Sequence, residues 1–155
     1  MNEKIVKRTE IKEIISRLKN EGRKIVFTNG CFDLLHVGHV RYLNEAKGLG
    51  DVLVLGLNSD ASVSAIKPGR PVVPEEQRAE VLSALSMIDY IVLFEEDTPY
   101  ELIKDVRPDV LVKGADWKKE DIVGSDIAGE VRTIRFVDGV STTEIIRKIK
   151  AGSGL

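Results

Sequence analysis

Short apolar runs alternate along the chain with segments whose apolar residues recur at helical spacing. The runs are rich in Val, Ile and Leu, and they predict strands at residues 24–28, 51–57, 89–94, 109–112 and 131–136. The first four runs are continuous, which is typical of parallel strands that are covered on both faces. The fifth alternates Val, Ile and Phe with Arg and Thr, and this pattern predicts an edge strand.

The intervals between these runs carry helical signals. Helices are predicted over residues 10–19, 40–49, 74–86, from Thr98 to a point before Pro108, and over 141–150. Strands that alternate with helices predict α/β architecture: a single domain with a Rossmann-like, doubly wound, parallel five-stranded sheet. We assign residues 1–22 to an N-terminal helical extension, 23–150 to this domain and 151–155 to a flexible tail.

Composition excludes several classes of protein. The 155 residues are 43% hydrophobic and 31% charged, and the formal net charge of −2 gives no basic field that would recruit nucleic acid. The single cysteine excludes an internal disulfide and is typical of a reducing compartment. Residues 1–9 lack the apolar stretch of a secretory signal, and no apolar run approaches the roughly 20 residues that span a bilayer. We expect a cytoplasmic protein without nucleic-acid or membrane partners.

Both histidines of the chain, His36 and His39, lie in one short segment between the first strand and the next helix. Backbone N–H groups at a helix N-terminus attract anions, and imidazoles placed there can donate hydrogen bonds to phosphoryl oxygens. Gly38, between them, lets the backbone approach a bulky anion closely. A metal pair or two surface histidines are the alternatives, although no Cys stands in helical register to complete a zinc site. We interpret the segment as a phosphate site, with Cys31 as a small packed residue rather than a nucleophile.

Polar or basic clusters follow the other strands, at the edge of the predicted sheet where ligands bind. Each cluster also has a purely structural interpretation: a helix N-cap, a solvated loop, a turn with an aromatic lid, or the start of the last helix. Positive charges gathered near one strand end are suited to a triphosphate. The candidate residues are Asn58, Asp60, Lys67, Arg70, Arg78, Lys113, Gly114, Asp116, Trp117, Ser141, Thr142 and Thr143.

Three motifs together resemble the nucleotidyltransferase superfamily of cytidylyl- and adenylyltransferases. They are Gly-Cys-Phe-Asp at 30–33, His-Val-Gly-His at 36–39 and Ser-Thr-Thr at 141–143, and the likeness extends over about residues 23–149. Longer strings are most similar to the adenylyltransferase branch of bacterial heptose activation, which makes an ADP-heptose from a heptose 1-phosphate and ATP. These strings lie at residues 28–33, 95–99, 108–114 and 138–143.

The resemblance implies direct, in-line transfer of AMP from ATP to a sugar 1-phosphate, which in this branch is D-glycero-β-D-manno-heptose 1-phosphate. It also implies Mg²⁺ that bridges the phosphates of ATP without protein side chains as ligands, no organic cofactor, and a homo-oligomer. By this likeness His36, His39 and Lys67 are catalytic. The implied nucleotide-binding residues are Asn29, Gly30, Cys31, Phe32, Asp33, Gly38, Arg78, Lys113, Gly114, Ser141, Thr142 and Thr143. The implied acceptor-binding residues are Asp33, Asn58, Asp60, Arg70, Asp116 and Trp117.

Three features depart from the family pattern. Phe136 stands where related cytidylyltransferases commonly carry an arginine, and this favours ATP over CTP as the donor. The loop at 67–70 is one residue shorter than is usual in the heptose branch, so the family pattern does not fix the role of Arg70. The segment at 124–130 is shorter than in the bifunctional members of that branch, whose sugar-kinase domain has no counterpart in this sequence. We therefore expect a stand-alone transferase.

Two other functions stay open on sequence alone. One is cytidylyl transfer to glycerol 3-phosphate or another alcohol phosphate on the same fold. The other is a nucleotide-binding sensor or assembly module that has lost catalysis, against which the intact His36, Gly38 and His39 argue.

Overall fold

The five strands form one parallel sheet in the computed structural model, which describes residues 2–152. Their bounds are Ile25–Gly30 (β1), Val52–Asn58 (β2), Tyr90–Phe94 (β3), Val110–Gly114 (β4) and Glu130–Ile134 (β5). The spatial order is β3-β2-β1-β4-β5, so the winding direction reverses between β1 and β4. This is the predicted doubly wound α/β fold, and β5 lies at an edge as its alternating sequence predicts.

Helices connect the strands and cover both faces of the sheet. Within the described residues they span Arg8–Asn20 (α1), Val37–Lys47 (α2), Asp60–Ile66 (α3), Glu75–Ser83 (α4), Tyr100–Val106 (α5) and Thr142–Gly152 (α6), with a 3₁₀ turn at Lys119–Asp121. For α3 the sequence offered only a helix N-cap at Ser59 or Asp60, and it did not predict the 3₁₀ turn. Ala151 and Gly152, assigned to the predicted tail, belong to α6, and residues 153–155 lie outside the described residues. None of the helices in this part of the chain is both long enough and apolar enough to cross a membrane.

The core has two halves, one on each face of the sheet. On one face Leu53 and Leu55 pack in a cluster with Leu43 of α2 and Leu82 of α4. The other face belongs to a second cluster that includes Phe27 of β1 and side chains of α1 and α5. Burial on both faces is the physical reason why the first four strand sequences are continuous rather than alternating.

Helix α1, in the predicted N-terminal extension, is part of the second half of the core. Ile11, Ile15 and Leu18 are buried within that cluster. Before the helix, Ile5 forms a parallel bridge with Ile91 at the β3 edge of the sheet. Full burial of one such aliphatic side chain contributes roughly 1.5–3 kcal/mol, so α1 stabilises the sheet on which it packs.

Candidate active site

The two histidines cap α2 with their own side chains. His36 is the N-cap residue, and its Nδ1 accepts a hydrogen bond from the backbone N–H of Gly38 at 3.1 Å. Nδ1 of His39 accepts in return from the backbone N–H of His36 at 3.2 Å. The two rings stack with their centroids 3.8 Å apart. A Cβ on Gly38 would lie 2.8 Å from Cε1 of His36, so a side chain at this position would displace the ring.

The capping pattern leaves the second nitrogen of each ring, Nε2, unused by the helix. Because each Nδ1 accepts a backbone N–H, the hydrogen bonds assign the neutral tautomer with its proton on Nε2. Burial lowers the pKa of both imidazoles, and burial together with repulsion from His36 and Lys67 lowers the pKa of His39 to about 4. Both rings are therefore neutral at about pH 7, and each has an Nε2–H to donate.

A pocket of about 460 Å³ lies beside the histidine pair, and its size is typical of a small-molecule site. Its lining comes from the ends of β1 and β4, the start of α2, the segment between α3 and α4, and the start of α6. The carboxyl ends of parallel strands share one edge of the sheet, so these segments meet where doubly wound folds bind ligands. The pocket brings together these predicted site residues: Asn29, Gly30, Cys31, Phe32, Asp33, His36, Gly38, His39, Lys67, Arg70, Lys113, Gly114, Asp116, Trp117, Ser141, Thr142 and Thr143.

Positive charge predominates in this lining. Three basic side chains, Lys67, Arg70 and Lys113, line the pocket, against two carboxylates: Asp33, which is buried, and Asp116, which is exposed. The ammonium of Lys113 lies 5.8 Å from the centroid of the Trp117 ring, and burial lowers the pKa of this lysine. Such a lining favours an anionic ligand such as a phosphate chain.

Phe136 forms an aromatic wall of the pocket. Its ring stacks on Tyr42 with centroids 6.1 Å apart and an interplanar angle of 15°. It also covers Gly114, where a Cβ would lie 2.2 Å from Cζ of Phe136. Because Phe136 remains 58% exposed despite these contacts, its ring is available to pack against a planar ligand.

Tyr42 also lines the pocket, and sequence reasoning missed it. The hydroxyl of Thr28 donates to the carbonyl oxygen of Val112 at 3.0 Å, so the hydroxyl of Tyr42 donates to Thr28 Oγ1 at 2.8 Å. Burial raises the pKa of Tyr42 to about 12. Its hydroxyl is thus used within the protein while its ring supports Phe136. Tyr42 follows His39 by three positions on α2, and this spacing is a signal that could have found it. Val137 and Val140 complete the lining that sequence reasoning did not name.

The start of α6 is attached to two other walls of the pocket. Ser141 Oγ accepts a hydrogen bond from the backbone N–H of Glu144 at 3.0 Å, which confirms the predicted cap. The hydroxyl of Thr142 donates to the carbonyl oxygen of Leu34 at 3.1 Å. Arg70 Nη2 donates to Thr143 Oγ1 at 3.3 Å, so the segment after α3 also reaches α6.

Arg78 is a predicted phosphate-binding residue that the structure does not bring to the pocket. Its side chain is only 1% exposed, and its guanidinium donates to the backbone carbonyls of Cys31, Asn58 and Val73 and to the carboxylate of Asp60. Four of the five N–H donors of the guanidinium have partners inside the protein, so the group is not directed at an external phosphate. The structure places Arg78 away from the pocket because of these acceptors, which the sequence does not show.

Asn58, a predicted acceptor-binding residue, likewise lies outside the pocket lining. It is buried, and its Nδ2 donates to Ser62 Oγ at 2.8 Å. Ser59 Oγ accepts from the backbone N–H of Ser62 at 3.2 Å, so the N-cap interpretation of this segment is confirmed. Asp60 begins α3, and its pairing with Arg78 at 2.8 Å takes it out of the lining as well.

Residues 27–148 match the family model described as cytidylyltransferase-like. The chain belongs to this family of nucleotidyltransferases. The match spans all the pocket-lining segments described above, from the end of β1 to the start of α6.

Curated and solved relatives of this cytidylyltransferase-like chain agree with the match. The chain is 57% identical over 151 residues to "Bifunctional protein HldE" of a Nitratiruptor species, and the alignment covers 96% of this chain and 33% of that protein. The chain therefore spans about a third of the length of the curated relatives it matches. A crystal structure of "the lipopolysaccharide core biosynthesis protein from Thermoplasma volcanium GSS1" is 31% identical, with a TM-score of 0.61 over 75% of this chain and 98% of that one.

A more distant structure shows only the shared fold of the cytidylyltransferase-like chain. It is the pantoate-beta-alanine ligase of Francisella tularensis, which is 14% identical with a TM-score of 0.61. The alignment covers 94% of this chain and 76% of that one. The same doubly wound scaffold thus occurs in a protein of a different name, and function has to be argued from the site.

Proposed function

We propose that this chain transfers AMP from ATP to a sugar 1-phosphate, with D-glycero-β-D-manno-heptose 1-phosphate as the first candidate, and forms an ADP-sugar and pyrophosphate. The observation that carries this proposal is the orientation of the histidine pair. Both rings hold a backbone N–H at Nδ1 and keep an Nε2–H for the pocket that they line. Neutral donors fixed beside basic side chains are suited to a phosphate chain whose charge shifts in the transition state.

The choice of acceptor is supported by likeness to other proteins. The strings at residues 28–33, 95–99, 108–114 and 138–143 resemble the heptose branch of the superfamily. The curated relatives that are more than half identical are named HldE, and the solved relative at 31% identity is described as a lipopolysaccharide core biosynthesis protein. A sugar phosphate of lipopolysaccharide synthesis is therefore the first acceptor to test.

The proposed reaction is a single in-line displacement. An oxygen of the sugar phosphate forms a bond to the α-phosphorus of ATP while the bond from that phosphorus to the β-phosphate oxygen breaks. Pyrophosphate leaves with the electron pair of the broken bond. The attacking oxygen already carries charge near neutral pH, so the step needs positioning and charge stabilisation rather than a general base.

The proposed roles of the side chains follow from their positions in the pocket. His36 and His39 donate Nε2–H to phosphoryl oxygens of the transition state and the leaving group, and each such donor typically accelerates a reaction by about 10²–10³-fold. Lys67 and Arg70 neutralise the triphosphate, and Lys113 adds charge near the nucleotide. The backbone at residues 29–33 and the start of α6, which both line the pocket, bind the rest of the nucleotide phosphates.

Mg²⁺ belongs in this proposal as part of the MgATP substrate. Within residues 2–152, no group of three or more His, Cys, Asp or Glu side chains is arranged to hold a metal ion. We propose that the phosphates of ATP would be the principal ligands of the ion, which would supply further neutralisation of their charge. The proposal includes no organic cofactor.

Phe136 is the basis for proposing ATP as the donor. Its ring is supported by Tyr42 and exposed toward the pocket, where it can stack on the purine base. Related cytidylyltransferases commonly have arginine here, so the side chain that would accompany CTP is missing. Trp117 and Asp116, in the same lining, are proposed to contact the ribose or the acceptor.

A paired panel tests the proposal directly. Purified protein is given ATP, CTP, GTP or UTP together with heptose 1-phosphate, other sugar 1-phosphates or glycerol 3-phosphate, and pyrophosphate release is measured. We expect turnover with ATP and heptose 1-phosphate. Turnover with CTP and an alcohol phosphate but not with ATP would refute the choice of donor, and nucleotide binding without any turnover would favour the sensor function.

Two broader properties complete the proposal. A homo-oligomer is proposed from the superfamily resemblance, and light scattering coupled to gel filtration tests it. A cytoplasmic location is proposed because ATP and phosphorylated sugars are intracellular metabolites, and cell fractionation tests it.

A further inference from the structure

Arg78 joins three chain segments through a buried guanidinium. Its Nη1 donates to the carbonyl oxygens of Cys31 at 2.6 Å and Asn58 at 2.9 Å, and its Nε donates to that of Val73 at 2.8 Å. Its Nη2 donates to Asp60 Oδ1 at 2.8 Å. The residue therefore links the exit of β1 and the end of β2 to the segment between α3 and α4.

The carboxylate of Asp33 binds the same segment through its backbone N–H groups. Its Oδ1 accepts from the backbone N–H of Val73 at 2.9 Å, and its Oδ2 accepts from that of Val72 at 2.7 Å. Val73 is thus held at its N–H by Asp33 and at its C=O by Arg78. Asp33 is 3% exposed and Arg78 is 2% exposed, so little water competes with either contact.

Lys67 stands at the other end of the segment. Its backbone N–H donates to the carbonyl oxygen of Val63 at 2.8 Å as α3 ends. Its side chain is exposed and lines the pocket, close enough to His39 to contribute to the lowered pKa of that imidazole. The segment 67–73 is therefore anchored at both ends, and its basic side chains lie over the pocket.

We propose that Arg78 is a positioning residue that holds segment 67–73 against the exit of β1 and so places Lys67 beside the histidine pair. This role rests on the proposed function, because Lys67 is the group through which Arg78 acts on the transferred phosphate. It replaces direct phosphate binding by Arg78. A lysine at 78 would keep the positive charge but lose the planar fork that reaches three carbonyls at once.

A double-mutant cycle between positions 67 and 78 tests the proposal. Wild type, Lys67→Ala, Arg78→Lys and the double variant are compared in kcat at saturating substrates and in KM for ATP. We expect Lys67→Ala to lower kcat by about 10²-fold and Arg78→Lys by about 10-fold. The double variant should lie within about 3-fold of Lys67→Ala, because on this proposal Arg78 affects kcat only through the position of Lys67. Losses that multiply would overturn the proposal, and so would Arg78→Lys activity close to wild type.

Thermal unfolding of all four proteins separates positioning from general stability. Arg132→Met, on edge strand β5, removes a half-exposed arginine and is the matched control. If Arg78→Lys does not fold, Asp33→Asn enters the same cycle, because Asp33 holds the same residue from its other side. Multiplying losses there would likewise overturn the proposal.

Turnover by the wild-type protein tests the proposed function separately from the role of Arg78. If wild type shows no turnover with any pair in the panel, the cycle is run on MgATP affinity by calorimetry instead. Coupling between positions 67 and 78 in affinity then supports positioning, and additive changes in binding free energy overturn it.

Discussion

The imidazole rings of His36 and His39 stack 3.8 Å apart and each accepts one backbone N–H at Nδ1. The same two side chains therefore begin α2 and face the pocket, with a different nitrogen for each task. Because the tasks fall on different atoms, substitutions can separate them.

Replacing His36 with asparagine should lower the catalytic rate and keep the helix cap. Asparagine is a favourable N-cap residue whose Oδ1 can accept the N–H of Gly38, but it has no donor at the position of Nε2. We expect kcat/KM to fall by at least about 10²-fold while the melting temperature stays within a few degrees. His36→Ala should lose activity similarly and also about 1 kcal/mol of stability. Activity of His36→Asn within a few-fold of wild type would contradict the proposed role.

Acid should destabilise the fold through His39. Burial, then repulsion from His36 and Lys67, lowers its pKa from 6.5 to about 4. Between these values the unfolded chain binds a proton that the folded chain does not, so the free energy of unfolding falls as the pH falls. With solvent screening taken into account, we expect a loss of about 2 kcal/mol.

Urea denaturation at about pH 7.5 and about pH 4.5 measures this effect. His39→Asn keeps an acceptor for the N–H of His36 but does not titrate in this range, so its stability should depend less on pH. Equal pH dependence in the two proteins would assign the effect to other groups.

Gly114→Ala should weaken nucleotide binding by moving Phe136. The new Cβ would lie 2.2 Å from Cζ of Phe136, so the ring has to leave its stack on Tyr42. We expect the Kd for MgATP to rise by about tenfold, with a stability cost of about 1–3 kcal/mol. Gly152→Ala is the matched control, since a Cβ there meets nothing within 4 Å. Unchanged ATP affinity in Gly114→Ala would exclude Phe136 from the nucleotide site.

The residue at position 136 should set the preference for the donor base. Phe136→Arg introduces the side chain common in related cytidylyltransferases and removes the ring that can stack on adenine. We expect the ratio of kcat/KM for ATP to that for CTP to fall by about 10-fold or more. Phe136→Tyr keeps an aromatic ring and should keep the ratio near that of wild type. The same ratio in all three proteins would place base selection elsewhere in the pocket.

Ile15→Ala should destabilise the whole domain although it lies in the predicted N-terminal extension. Ile15 is 3% exposed within the core cluster that contains Phe27, and loss of such a side chain typically costs about 2–5 kcal/mol. A single cooperative transition with a lower midpoint is expected in thermal or urea unfolding. Val123→Ala, at a 37% exposed side chain, is the control and should change stability far less. A separate early transition in Ile15→Ala would show instead that α1 unfolds by itself.

The sheet was predictable because β1 to β4 are largely buried on both faces and rich in continuous apolar residues, whereas β5 shows the alternation of an edge strand. Helix α3 was not, because its seven residues bury only Ser62 and Val63 and carry no clear apolar period. The cap by Ser59 could be read from residue type, since short polar side chains favour that position.

The candidate site also contains residues that could be predicted from the sequence and residues that could not. The histidine motif and the Ser-Thr-Thr motif are local, and both reach the pocket as predicted. The contacts of Arg78 are not local in sequence. The carbonyls of Cys31 and Asn58 and the carboxylate of Asp60 come near it only in the folded chain, so its residue type does not predict them. A buried arginine and a phosphate-binding arginine have the same sequence signature.

Between the two anchored ends of segment 67–73, Pro68 and Gly69 form an exposed tip. Val72 and Val73 are held by Asp33 and Arg78, whereas Pro68 and Gly69 are exposed and a Cβ on Gly69 meets nothing within 4 Å. Exchanges at these two positions are therefore expected to leave both the anchors and the histidine pair undisturbed. The tip is thus a place where a label or a short insertion can be introduced while the geometry of the active site is kept.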